Sequence, residues 1–131
     1  MANPNIVSVS SIKGESVGYN LTATTTTTLM TVSSDKLIKI NRITVANVDG
    51  TNAADVDLFI DGLTTAGADG ITPTSANTTV YLAKTVSVPA DTTLIVVDTP
   101  IYLMEGDILK GGASAASDLD LFISYEVLDD A

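Results

Sequence analysis

The chain has 131 residues, and its 6 basic and 16 acidic side chains give a formal charge of −10 at pH 7. One domain fits that length, while 45% hydrophobic residues and a mean hydropathy of +0.34 supply a core and exclude global disorder. Cys, His and Trp are absent, which removes thiol nucleophiles, disulfides, the usual general base near neutral pH and the commonest transition-metal ligand.

At the N-terminus, Met1-Ala2-Asn3-Pro4-Asn5 lacks the basic and apolar regions of a secretion signal, so export is not expected. Ile6, Val7 and Val9 come next, ahead of a polar stretch with Gly14 and Gly18. Residues 1–15 therefore read either as an arm that adds to a neighbour's sheet edge or as an ordinary first strand. Residues 16–131 read as the sandwich itself. Ser16 to Thr28 is a Thr-heavy strand candidate with one wet face. The Thr24–Thr28 run lacks the stacked repeats that a flat hydroxyl array needs.

From Leu37 to Val48, Ile38 and Ile40 share one parity while Ile43 and Val45 share the other. A one-residue bulge at Asn41-Arg42 would keep all four on one face. Asp49-Gly50-Thr51-Asn52 is a turn. The next strand alternates cleanly, with Val56, Leu58 and Ile60 inward and Asp55, Asp57 and Asp61 outward. Gly62 to Thr79 is a long excursion, followed by strand candidates at Val80-Tyr81-Leu82 and Val86-Ser87-Val88. Leu94 to Val97 reads as a short strand buried on both faces. Ile101 to Met104 and Ile108-Leu109 flank the turn at Glu105-Gly106-Asp107. Gly111 to Ser117 is a small-residue connection, either extended or a single helical turn, and Leu119, Leu121, Ile123, Tyr125 and Val127 close the chain on one face.

About eight to ten short antiparallel strands separated by turn signals predict an all-β, single β-sandwich of jelly-roll type. Asp55–Ile60 and Asp118–Ile123 are nearly the same hexapeptide. Either an internal duplication or two strands in similar surroundings accounts for the likeness.

Asp55, Asp57 and Asp61 are the cation candidates, because alternating carboxylates can supply some of the oxygens calcium needs. The spacing matches no EF-hand loop, and a solvated acidic face is the expected reading. Asp118 and Asp120 would join the cluster if the two similar strands were neighbours. Glu105 and Asp107 flank a glycine turn rather than a cleft, so no enzymatic activity, metal or cofactor is expected. Asn20-Leu21-Thr22 and Asn77-Thr78-Thr79 match the glycosylation pattern by chance if the chain is not secreted. Aromatic residues at 5% are too few to stack sugars or bases, and a charge of −10 repels phosphate backbones. Neither nucleic acid nor membrane is an expected partner, as no run approaches the ~18 apolar residues of a membrane span.

The series Leu37-Ile38-Lys39-Ile40-Asn41-Arg42-Ile43-Thr44-Val45-Ala46-Asn47-Val48-Asp49-Gly50, then Val88-Pro89-Ala90 and Pro100 to Asp107, and finally Leu121 to Glu126, carries a likeness. From about Thr27 to Val127 the chain resembles small virion structural proteins of tailed bacteriophages, including marine and cyanobacterial phages. The resemblance implies a capsid decoration (cement) protein, made in the host cytoplasm and carried on the virion exterior, or a tail or fibre component that binds a host-surface glycan. Its implied partners are the major capsid protein or other virion proteins, with homo-oligomerisation expected. It carries no functional residues over; the interface candidates are Ile6, Val7 and Val9, from the reading of the N-terminal segment.

Overall fold

The computed structural model describes residues 4–63 and 77–130. Among them are nine strands and no helix: β1 (Ser11–Asn20), β2 (Thr27–Thr31), β3 (Lys36–Asn47), β4 (Ala54–Asp61), β5 (Val80–Val88), β6 (Thr93–Val97), β7 (Ile101–Leu103), β8 (Ile108–Ala113) and β9 (Leu119–Asp129). They form two antiparallel sheets. One is ordered β1-β9-β3-β6, with β7 also paired to β3; the other is ordered β2-β8-β4-β5. Strands at matching positions of the two sheets are consecutive in sequence: β1 and β2, β9 and β8, β3 and β4, β6 and β5. This wrapping is a jelly roll, and the expected single β-sandwich is the fold observed.

The longest strand, β3, carries the expected bulge. Ile40 pairs with Tyr125 and Arg42 with Ser124, so Asn41 is the extra residue. Ile38, Ile40, Ile43 and Val45 consequently all reach the core, the last three at 0% exposure. Each such aliphatic side chain contributes about 1.5–3 kcal/mol relative to remaining in water. On the opposite side of β3 the neighbouring edge breaks at the same level, where β6 ends at Val97 and β7 begins at Ile101. Arg42 spans the gap, with its guanidinium 2.7 Å from Asp98.

The two similar hexapeptides lie in different sheets, on the inner strands β4 and β9. Val56, Leu58 and Ile60 enter the core from one side; Leu119, Leu121 and Ile123 enter from the other. Their likeness in sequence accompanies a likeness in surroundings.

Four local expectations differ from the structure. Ile6 to Val9 form no strand; the first strand is the polar, glycine-containing Ser11–Asn20, which crosses the expected division at residues 15 and 16. Leu94 to Val97 are not buried on both faces, because β6 is an edge strand with Ile95 47% exposed. The Thr run is a corner: the chain crosses between sheets there, and Thr27 Oγ1 donates to the Thr24 carbonyl at 2.9 Å. Finally, Gly111 to Ala113 belong to β8. A Cβ on Gly112 would collide with the Thr24 carbonyl, so the small residues admit close backbone approach within the sandwich.

Asn47 is the buried polar anchor of one end, at 3% exposure. Its Nδ2 donates to the carbonyls of Asn52 at 3.0 Å and Val88 at 2.8 Å, and its Oδ1 accepts from the Asp49 N–H at 2.9 Å. The 48–52 turn is thereby tied to the end of β5. Asn47→Ala would strand those three main-chain groups. A loss on the order of 2–3 kcal/mol in chemical denaturation is expected. A loss below about 0.5 kcal/mol, the range of ordinary surface changes, would show that the anchor is dispensable.

Candidate functional site

The acidic face of β4 is the first candidate. Asp55, Asp57 and Asp61 alternate with core residues on the outer side of the second sheet, as the pattern predicts. Two of the three carboxylates are occupied. Asp57 Oδ1 accepts the Thr85 N–H at 2.6 Å, holding a residue of β5 that sits at φ 51° beside a register shift. Asp61 accepts from the Thr79 hydroxyl at 2.7 Å and the Gly62 N–H at 3.0 Å, with Lys110 Nζ also 3.0 Å away. The Thr79 hydroxyl first, then Lys110, keeps its carboxyl below the ordinary aspartate range. Asp118 and Asp120 do not join the group, because β9 lies in the other sheet. Among the described residues no three acidic side chains converge as a metal-binding group.

Asp57 and Asp61 therefore tie neighbouring strands and turns together. Asp57→Ala is expected to cost roughly 1 kcal/mol in denaturant unfolding by freeing the Thr85 N–H. Millimolar calcium is expected to leave the melting temperature of the native chain unchanged. A calcium-dependent rise that Asp57→Ala abolishes would instead make the face a cation site.

Glu105 and Asp107 occupy a turn, as the sequence suggests. The Asp107 N–H donates to the Met104 carbonyl at 3.0 Å, and Gly106 has φ 88°, the geometry of a type II turn. Asp107 is 1% exposed. Its Oδ2 accepts the Met104 N–H at 2.8 Å, whereas Oδ1 has no partner among the described residues. Burial pushes this carboxyl above its ordinary value of 3.8. The folded state thus holds the proton more tightly than the unfolded chain does. Stability falls as pH rises from 3.8 through the raised value and stays lower above it. Asp49 and Asp61 shift the other way, and what they contribute is lost as pH falls. The Asp49 and Asp61 contributions are common to the native chain and an Asp107→Asn variant, so the stability difference between the two isolates Asp107. That difference is expected to move in the variant's favour as pH increases across the window. A gap independent of pH would contradict it.

The N-terminal candidates lie outside the sheets. Ile6 is 54% and Val7 90% exposed, and Val9 is half-buried. A turn closes the segment through the Ser8 N–H and the Asn5 carbonyl at 3.0 Å, and the Ser10 N–H joins it to the Asp129 carbonyl at 2.8 Å.

Two surfaces escaped the sequence reading. Across the outer face of the first sheet, Gly18, Phe122, Thr44 and Ile95 stand in register as one row. Phe122 is 48% exposed beside an open groove lined by Asn20, Ala46 and Asp120. Its parity, opposite to Leu121 and Ile123, was the available signal. The second is the outer edge of β1, which among the described residues pairs with β9 alone. Ser16 to Asn20 fell within an expected strand, but nothing in the polar, glycine-bearing segment indicated one unbroken strand from Ser11 to Asn20.

Tyr81 lies in the second sheet, its ring 4.8 Å from Phe59 and 4.4 Å from Lys84 Nζ, whereas Tyr102 lies in the first. Most of the Gly62–Thr79 excursion lies outside the described residues. No protein-family model matches this sequence, and no curated protein matches it.

Proposed function

We propose that this chain is a virion structural protein of a tailed bacteriophage, a capsid decoration protein that binds the shell noncovalently and stabilises it. The observation that carries the reading is the N-terminal segment. Ile6 and Val7 stand in water ahead of a sandwich whose core closes without them. Aliphatic side chains placed there fit a contact with the major capsid protein or another virion protein, where removing apolar surface from water contributes about 25 cal/mol per Å². The likeness in sequence to small phage virion proteins points the same way, and so does a jelly roll without His or Cys. Such a protein acts by binding rather than by catalysis. Contacts spread over several coat subunits hold it through avidity, with only modest strength in each. It is made in the host cytoplasm, and its place is the capsid exterior.

Copy number in purified particles tests the proposal. A decoration protein is expected to approach the stoichiometry of the coat protein, and removal of residues 2–10 is expected to lower occupancy while the circular-dichroism spectrum stays that of the sandwich. A few dozen copies per particle or fewer would assign the chain to a tail or fibre instead.

A further inference from the structure

Sheet edges are open templates for strand addition, and folded proteins interrupt them. Three of the four edges here are interrupted. β2 has five residues with Leu29 bulged out of register, and β5 shifts register twice against β4. β6 and β7 are short, separated by Pro100, and β6 carries a shift at Val96. β1 is different. Its ten residues keep unbroken register with β9, from Ser11 opposite Asp129 to Asn20 opposite Asp120.

The phase of the ladder fixes which main-chain groups remain open. The Leu21 N–H donates to the Leu119 carbonyl at 2.8 Å. By alternation Lys13, Glu15, Val17 and Tyr19 bond to β9, while Ile12, Gly14, Ser16 and Gly18 turn their N–H and C=O groups outward. No main-chain hydrogen bond from another described segment reaches these four residues. Gly14 has no local need to be glycine, since a Cβ there would meet nothing within 4 Å. Glycine inside a strand marks places where another backbone comes close. Charge supplies the last observation. Lys36, Lys39, Arg42 and Lys110 sit in ion pairs and Lys84 lies over Tyr81. Lys13 has neither kind of partner among the described residues, and it stands on the open strand two positions from Glu15.

We infer that β1 pairs antiparallel with β1 of a second copy about a two-fold axis at Gly14. Gly14 then faces Gly14 of the second copy in a hydrogen-bonded pair, and Ile12 faces Ser16. Lys13 faces Glu15 in the closer, non-hydrogen-bonded pairs, where Cα atoms stand about 4.5 Å apart. The symmetry supplies that ion pair twice. Shifting by one step in either direction sets Lys13 opposite Lys13 or Glu15 opposite Glu15, both unfavourable. Centring the pair on Ser16 leaves Glu15 facing Val17 without an ion pair. Charge therefore selects one register. The first sheet would run continuously through both copies, an arrangement independent of where the protein sits on a particle.

A contact made mainly by one strand is small, and interfaces burying less than about 1,200 Å² are weak. The expected result in sedimentation velocity, at about 0.15 M salt to screen the net repulsion, is a dimer that dissociates on dilution. Lys13→Glu, a change at an exposed position, is expected to weaken the dimer about tenfold or more by turning two attractions into repulsions. The double variant Lys13→Glu/Glu15→Lys is expected to restore it. Ser16→Pro removes an outward N–H, a position where an edge strand tolerates proline. It should give a folded monomer, with the strand spectrum checked by circular dichroism. Monomers at every concentration would overturn the inference, as would a dimer indifferent to Lys13→Glu. Loss of the dimer on removing residues 2–10 would overturn it too, by giving the edge to the N-terminal segment of the other copy. Particle occupancy plays no part in these readouts, so either proposal can fail alone.

Discussion

The sandwich rests on one geometric constraint: a strand buried along its length must keep its apolar side chains on a single face, although strand side chains alternate strictly. β3 meets this over twelve residues only because Asn41 is looped out of the ladder with β9. Without that extra residue, Ile43 and Val45 would point to solvent whenever Ile38 and Ile40 point inward. The consequence spreads to both neighbours. The extra residue falls where the other edge changes from β6 to β7, so one bend serves both interruptions, and Arg42 bridges to Asp98 across it. With β3 seated, β9 can pair along its whole length and bring Leu119, Leu121 and Ile123 into the same core.

This part of the fold was legible in the sequence because it depends on local alternation. Ile38, Ile40, Ile43 and Val45 encode both the strand and its interruption; Val56, Leu58 and Ile60 encode the matching strand of the other sheet. What could not be read depends on neighbours brought in by the topology. Nothing local to Leu94–Val97 says that the strand lies at an edge, where one side stays wet. Gly111 and Gly112 look like loop because their small size answers to Asp57 and Thr24, residues remote in sequence. β1 has little apolar alternation of its own, and its strand character comes from the ladder that β9 offers. The candidate acidic face was legible as a face. Its chemistry was not, because the partners of Asp57 and Asp61 are Thr85, Thr79 and Lys110.

Those partners show how the scarce cations are used. A chain of charge −10 with six basic groups has little positive charge to present outward once four are in ion pairs and a fifth covers a tyrosine ring. The ion pairs join neighbouring strands or span a sheet break: Lys36 with Asp129, Lys39 with Glu126, Arg42 with Asp98, Lys110 with Asp61. Arg42–Asp98 is exposed and the other three are half-buried; surface pairs contribute little stability, with a median of about 0–1 kcal/mol. Lys36 and Lys39 stand directly opposite Asp129 and Glu126, so a slip of β3 against β9 would separate both pairs at once.

The scarcity of unpaired cations among the described residues limits how the molecule can hold on to others. A surface short of free cations has little charge complementarity to offer acidic partners, and the exposed Tyr81 and Tyr102 lie in different sheets. Among the described residues the chain offers apolar side chains that the core does not use and main-chain groups that no described strand covers. Ile6 and Val7 belong to the first kind, and the outward groups of Ile12, Gly14, Ser16 and Gly18 belong to the second. They are separated by only a few residues in sequence, Ile6 and Val7 outside the sheets and the other four on the edge strand β1. Apolar contact tolerates variation in the partner's shape, whereas main-chain pairing demands a strand in register. On the proposed reading the division follows from those demands: the adaptable contact suits a shell that differs from the protein itself, and the exacting one suits an identical copy, whose β1 is already extended, unbulged and complementary at Lys13 and Glu15.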